Sequence, residues 1–345
     1  ILIRVANFLA KKGEPLLFQV RTLDSAAFNS SQEQFISAVN EGLSLQQKCL
    51  PSWLIFDSEG SKIFKKITEL KEYLPAVCEF EIIQNQKRNI AELLNKKKFN
   101  LIELGSGDGC KTRILIDYFL SQKFNFHYYP IDISSGAVKN LARALENNQK
   151  ETSLKVTGLI GDYFEGLDTI MKDDTKQNLV LFLGITLNNM TPETARSFLN
   201  NLKEKMKSID YLLIGFDLMK NPRLLYSAYN DSQGLFQKFN LHLLDRINQE
   251  LGANFKKENF IQQGLFNPVT RAVESYLFSN RRQVVHIKAL NKDFHFREWE
   301  MIQTEQSIKF TIEEIEDLAR KNGFEVVKHF SDSRNYFVDS VWKVA

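Results

Sequence analysis

The pattern of apolar and polar positions changes character twice along the chain. Between residues 100 and 217 short apolar runs alternate with helical spacing. "NLIEL" (100–104), "HYYPID" (127–132), the strand within "SLKVTGLIGD", "NLVLFLG" (178–184) and "DYLLIGFD" (210–217) read as buried strands. After the first of them, Ile114, Leu115, Tyr118 and Phe119 recur at helical intervals. "SGAVKNLARALENN" and "TPETARSFLNNLKEKMK" supply two further helices. The second is opened by Thr191 as N-cap, Pro192 at the first helical position and Glu193 in the first turn. Five strands separated by helical blocks predict a parallel sheet with crossover helices.

After Asp217 that rhythm stops. "NPRLLYSAYNDSQGLFQKFNLHLLDRINQELG" is helix-rich, and strand-like pieces follow around 260–267, 273–280, 283–288 and 300–308. A helix resumes at "TIEEIEDLARKNG", with Thr311 and Glu314 spaced as a capping box and Gly323 as its stop. "FEVVKHF" and "YFVDSVWKV" then give two strands with no crossover helix between them, hence a terminal antiparallel hairpin. The expected division is a core of residues 76–219 and 309–345. Residues 1–75 and 220–308 would form a second, α+β unit that binds substrate.

One stretch of that second unit raises a question by itself. In "TEQS" (304–307), Glu305 and Ser307 are two apart, so a strand points both to the same side. Unaided, this reads as a solvent-facing polar stripe.

Composition narrows the function classes. The chain has 345 residues, 43% hydrophobic and 25% charged, as ordinary globular proteins do. Lys+Arg number 45 against Asp+Glu 42, too even a balance for a dedicated nucleic-acid binder. The basic run Lys96-Lys97-Lys98 reads as a solvated helix end. Cys49, Cys78 and Cys110 form no disulfide framework and no metal-type pair, which suits a reducing compartment. His127, His242, His286, His295 and His329 show no metal-ligand spacing, so no metal is expected. The apolar stretch in "ILIRVANFLAKKGEP" is too short to span a bilayer and no cleavage signal follows it. A cytoplasmic monomer without membrane or nucleic-acid partners is the expectation.

The chemistry begins at "ELGSGDG" (103–109). Glycines at 105, 107 and 109 let the backbone turn sharply and approach a ligand closely. The dinucleotide fingerprint GxGxxG fails at Cys110, which disfavours a nucleotide-dependent oxidoreductase. The spacing E-x-G-x-G-x-G is instead the first motif of class I S-adenosylmethionine (SAM) methyltransferases. Asp132 ends the second strand 27 residues after Gly105, well placed for both ribose hydroxyls of an adenosyl group. "GD" (161–162) ends the third strand, where such enzymes place a polar residue against adenine. Methyltransferases of nucleic-acid bases carry a Pro-Pro motif after the fourth strand; this chain has "GITLNNM" there, which argues against a base as substrate.

Several further motifs extend the likeness beyond that generic core. "LPSWLIFDSEGSKIFKKITELKEYLP", "LIELGSGDGCKTR", "YYPIDIS", "LFLGITLNNM", "LLIGFDLMKNPRLLYSAYNDSQG", "FNLHLLDRINQELGANF" and "IQTEQSIKF" resemble the histidine-specific SAM-dependent methyltransferases of ergothioneine biosynthesis. The resemblance runs from about residue 45 to the C-terminus. It implies a two-domain enzyme that methylates the α-amine of free L-histidine, as far as the trimethyl form. It implies cofactor contacts at Gly105, Ser106, Gly107, Lys111, Asp132, Asp162, Tyr163 and Gly184. Asn189 would hold the α-amine, Tyr73 and Tyr229 would line the pocket with Tyr229 on the carboxylate, and Glu305 and Ser307 would bind the imidazole.

Each of these has a plainer reading. The tyrosines would serve equally as interface aromatics, and Asn189 as a cap for the helix near Thr191. Two departures from the family bear on substrate. Phe56-Asp57 stands where the family usually has Tyr-Asp, and Ser275 where a Met is common beside the ring pocket. Methylation of tryptophan or another aromatic amino acid, and a catalytically silent SAM-binding module, are the alternative expectations.

Overall fold

The structure is a computed structural model that describes residues 17–23, 25–94, 98–148, 154–172 and 176–345. The N-terminal apolar stretch and most of the Lys96–Lys98 run lie outside the described residues. The first part of the chain holds β1 (Phe18–Thr22), α1 (Ser25–Ser44), β2 (Lys48–Cys49), α2 (Ser58–Thr68) and α3 (Leu74–Glu92). There follow β3 (Phe99–Leu104), α4 (Cys110–Ser121), β4 (Phe126–Asp132), α5 (Ser135–Asn148), β5 (Lys155–Ile160), α6 (Tyr163–Ile170), β6 (Gln177–Phe182), α7 (Pro192–Lys205) and β7 (Tyr211–Asp217). Next come α8 (Pro222–Tyr229), α9 (Leu235–Leu251), β8 (Phe260–Asn267), β9 (Ala272–Ser279), β10 (Gln283–Ile287), β11 (Lys292–Phe296) and β12 (Met301–Ile308). The chain closes with α10 (Ile312–Lys321), β13 (Phe324–Ser331) and β14 (Phe337–Val344).

The larger sheet has the order β1-β5-β4-β3-β6-β7-β14-β13. Its strands from β1 through β7 pair in parallel, while β14 runs antiparallel to both β7 and β13. This is the class I methyltransferase sheet with its terminal hairpin. Alternating side chains supply two cores. Ile102, Val180 and Ile214 pack with Leu167, Leu199 and Ile315 of α6, α7 and α10. Leu101, Leu179 and Leu213 pack with Ile83 and Leu115 of α3 and α4, in a cluster that continues to Tyr73, Tyr229, Phe236 and Phe239. Strand order turns at β3, with β4 on one side and β6 on the other. The crevice beyond their C-terminal ends is where such sheets hold ligands.

The segment after β7 joins β2 in a separate four-stranded sheet, β2-β12-β9-β8, with the hairpin β10-β11 beside it. The strand β11 has no counterpart in the sequence reading, because its exposed Lys292, Asp293 and His295 mask the buried Phe294 and Phe296. β1 departs from the expected grouping. It pairs in parallel with β5 and widens the large sheet, rather than joining the second unit. Turn-type residues flank it, Gly13 and Pro15 before and Asp24 and Ser25 after, but only pairing with β5 assigns it to this sheet. The two sheets meet where Phe310 N–H donates to Asp217 O (3.2 Å) and Met219 N–H to Phe310 O (2.9 Å). Immediately after that junction the capping box forms as expected. Thr311 Oγ accepts from Glu314 N–H, and the Glu314 carboxylate accepts from Thr311 N–H (3.0 Å).

Candidate active site

At the C-terminal edge of the large sheet, the glycine loop turns from β3 into α4. Gly105, Gly107 and Gly109 hold φ of +75°, +51° and +65°, a region that L side chains rarely adopt. Gly107 N–H donates to Asp132 Oδ2 (3.1 Å), and Ser134 N–H to Asp132 Oδ1 (2.8 Å). Burial raises the Asp132 carboxyl above its ordinary range, and these two N–H groups pull it back. Glu103, the first residue of the motif, faces inward and accepts from Thr112 (2.5 Å) and Tyr128, tying β3 to α4 and β4. Burial lifts it to about 7.

Asp162 caps α6, accepting from Phe164 N–H (2.8 Å) and Glu165 N–H (3.3 Å) through Oδ1. The hydroxyl of the next residue, Tyr163, approaches Gly105 so closely that a β-carbon there would lie 2.8 Å from it. Across the crevice Gly184 (φ +82°) donates its N–H to Glu79 Oε1 (2.5 Å), and Lys111 pairs with the other oxygen of Glu79. Glu79 belongs to α3 and is fully buried. The residues fit an adenosyl cofactor. A β-carbon at Gly107 or Gly184 would meet nothing within 4 Å, and Ser106 Oγ is buried without a partner.

The second half of the site is carried by β12. Its register with β9 slips between Gln303 and Glu305, leaving Thr304 as the extra residue of a bulge. Thr304 Oγ1 turns to Asn240 Oδ1 and Ser275 O. Beyond the bulge Glu305, Ser307 and Lys309 all lie on the buried side, at 9%, 1% and 0% exposure. The solvent-stripe reading of "TEQS" is thereby overturned: α9 covers this face. Asn240 Nδ2 of α9 donates to Glu305 Oε2 (3.4 Å). Ser275 sits opposite Glu305 in the register, with its Oγ buried. Burial pushes the Glu305 carboxyl up to about 7, against the pull of Asn240, Ser275 and the Lys309 ammonium.

Aromatic rings wall this face. Tyr73, at the start of α3, stands edge-on to Tyr229 (6.3 Å between centroids) and to Phe64 (6.0 Å). Phe56 packs on Phe64 and Phe239 (5.2 and 5.3 Å). Both tyrosines are core residues as the plainer reading holds, at 3% and 1% exposure. Burial, with Tyr229, Glu305, Asp217 and Glu79 around it, holds the Tyr73 phenol well above its usual range. Asn189 does not cap α7, since Thr191 does so by accepting from Thr194 N–H (3.2 Å). With its amide oriented to suit its surroundings, Asn189 Nδ2 donates to Ser307 Oγ (3.1 Å) and Gln306 O (3.2 Å). It therefore joins the loop after β6 to the strand that carries Glu305.

Three residues at the centre of this arrangement were not singled out from the sequence: Lys309, Asp217 and Glu79. The signal for Lys309 was present, since it continues the two-residue period of Glu305 and Ser307. Glu79 stands among Leu74, Cys78, Ile82 and Ile83 on the buried side of α3, an acidic residue where an apolar one is the rule. The Tyr229-Asn230-Asp231 run divides its work. Asn230 ties α8 to β8, accepting from Gly264 N–H (2.9 Å), and Asp231 accepts from the N–H groups of Leu235 and Phe236 that open α9. A groove of about 670 Å³ lined by α2 and α9 residues such as Glu59, Lys238 and His242 holds none of the expected site residues.

Comparison with known proteins decides the family. The profile of the histidine-specific, SAM-dependent methyltransferases matches residues 35–344. The chain belongs to this family. It is similar to the histidine N-alpha-methyltransferase of Mycolicibacterium smegmatis, 31% identical over 84% of this chain and 88% of that one. The Mycobacterium tuberculosis protein of the same name is 31% identical over 87% and 91%. Ergothioneine biosynthesis protein 1 of Schizosaccharomyces pombe is 28% identical over 84% of this chain but only 38% of its own length. This methyltransferase is thus a SAM-dependent enzyme on a class I fold. Among its described residues no helix is long and apolar enough to cross a membrane, and no His, Cys, Asp and Glu group is arranged to hold a metal.

Proposed function

We propose that this methyltransferase moves methyl groups from SAM to the α-amine of free L-histidine, as far as the trimethyl form. The observation that carries the substrate is the buried Glu305 carboxylate, set among aromatic rings with Ser307 one step along the same face. A buried carboxylate needs a donor, and an imidazole N–H is one that an apolar ring cannot offer.

Bound SAM supplies an electrophilic methyl group on its sulfonium. Gly105, Ser106, Gly107 and Gly184 would hold it through backbone and hydroxyl contacts, Asp132 through the ribose, and Asp162 with Tyr163 beside the adenine. Lys111, already paired with Glu79, would face its amino-acid end. An amine attacks only when deprotonated, and a buried site favours its neutral form. Asn189, its nitrogen committed to Ser307 and Gln306, keeps its oxygen as an acceptor that aims the amine. Tyr73 retains its proton at neutral pH, so it positions the amine rather than acting as a base. Tyr229 would hold the carboxylate. Positioning of this kind supplies roughly 7–11 kcal/mol in well-oriented reactions.

Residues 76–219 and 309–345 form the cofactor unit in this reading, joined by β1, and the rest of the chain forms the substrate unit. In this reading the enzyme acts as a monomer. Three free thiols suit the cytoplasm. Phe56 and Ser275 support tryptophan as the competing substrate. The test is incubation with SAM and a panel of free amino acids, read by mass spectrometry. Successive methyl additions to histidine are expected; no histidine turnover, or faster turnover of tryptophan, contradicts the proposal.

A further inference from the structure

Lys309 is an unusual group to find beneath a substrate pocket. It has no exposed surface, and an ammonium is almost never fully buried unless paired. Its three N–H bonds are all committed: to Asp217 Oδ2 (2.9 Å), Ser307 Oγ (2.8 Å) and Tyr229 Oη (3.0 Å). Asp217 gives its other oxygen to Lys220, which also donates to Leu218 O (2.7 Å). Burial alone would raise Asp217, but the two ammonium groups hold it below the usual carboxylate range. Two buried cations therefore share one aspartate, and Glu305 is the next carboxylate acting on Lys309.

The directions of these bonds matter as much as the charge. An ammonium has donors and no acceptors, so Tyr229 and Ser307 must each meet Lys309 with an oxygen lone pair. Ser307 Oγ also accepts from Asn189, which uses its second lone pair. Ser307 therefore turns its own O–H to Tyr229 Oη, which accepts from both neighbours and points its O–H away from Lys309; the ammonium behind it makes that hydroxyl a stronger donor. A hydroxyl fixed as a donor and backed by a buried ammonium matches an anion.

We infer that Lys309 is a positioning residue for recognition of the substrate's α-carboxylate, acting through the Tyr229 hydroxyl. This rests on the histidine reading and deepens it. The enzyme would then require a free amino acid and reject amides, esters and peptide-linked histidine, because a hydroxyl donor strengthened by an ammonium favours a carboxylate opposite it. Without Lys309, Tyr229 could turn its proton inward and the preference would fade.

The test measures kcat and KM for L-histidine and L-histidinamide at fixed SAM in the wild type, Lys309→Met and Tyr229→Phe. Calorimetry with S-adenosylhomocysteine checks that the cofactor half is intact. The wild type is expected to prefer histidine by roughly 30-fold or more, through KM, the scale of a buried charge-assisted hydrogen bond. Both variants should cut that preference to a few-fold with cofactor affinity unchanged. A merely structural lysine would instead depress both substrates alike and leave their ratio intact. Retention of the preference in Tyr229→Phe, or in a Lys309→Met protein that binds the cofactor product, overturns the inference. Breaking a buried ion pair can prevent folding; if Lys309→Met binds no cofactor product, Tyr229→Phe decides alone. Equal use of histidine and histidinamide by the wild type also overturns it while leaving histidine methylation standing. Turnover of neither refutes the histidine reading itself.

Discussion

The two halves of the proposed active site are built from different materials. On the side proposed for the cofactor, backbone sets the shape: left-handed glycines, N–H groups turned to Ile131 O and Asp132, and a carboxylate held by Gly107 and Ser134. On the substrate side nearly every contact is between side chains, and the polar ones are buried and interlocked. Glu305 leans on Asn240, Asn240 on Thr304, and Ser307 on Lys309 and Asn189. Backbone sites tolerate change in neighbouring side chains, whereas an interlocked set transmits it. Cofactor binding should therefore be robust to most substitutions and substrate choice sensitive to few.

The largest effect expected is at the exception on the cofactor side. Asp132→Ala removes a carboxylate that orders the loop and, as proposed, would meet the ribose, and should weaken S-adenosylhomocysteine binding by about 3 kcal/mol in calorimetry. Preserved affinity would show that the glycine loop binds without it. Asn189→Ala comes next, because it spans the two halves. It should lower kcat about 100-fold through lost aim while leaving cofactor affinity intact. A change confined to KM would reduce Asn189 to a substrate contact.

A smaller effect reads one residue of the substrate half through pH. The fold raises Glu305 from 4.5 to about 7, so it favours the protonated form. Its contribution to stability is complete below about 4.5 and is lost as pH rises through about 7. Glu305→Gln should therefore lose less stability than the wild type between those values, measured by thermal unfolding without substrate. Parallel pH curves would mean that Glu305 is not strained by its burial. The smallest effect belongs to a residue that touches neither half. Thr311→Ala removes the cap of α10 and should cost about 1 kcal/mol of stability with both ligand affinities unchanged.

This difference between the halves also explains what the sequence disclosed. The glycine loop, Asp132 and Gly184 sit at strand ends whose spacing is fixed by a parallel sheet, so period and motif located them. The caps of α7 and α10 were legible for the same reason, since a cap acts within its own turn. Glu305 and Ser307 were visible as a same-side pair, but nothing local showed that α9 covers them. Lys309 and Asp217 lie 92 residues apart, and only the junction between the sheets makes them partners. Thr304 carries a bulge that no composition rule announces. β1 needed β5 as its template.

The most direct test compares Glu305→Ala with the wild type in two calorimetric titrations, one with S-adenosylhomocysteine and one with L-histidine. The cofactor product should bind both proteins equally, while histidine binding weakens by about 2–4 kcal/mol in the variant. Unchanged histidine affinity, or an equal loss for both ligands, would contradict the assignment of the imidazole to Glu305.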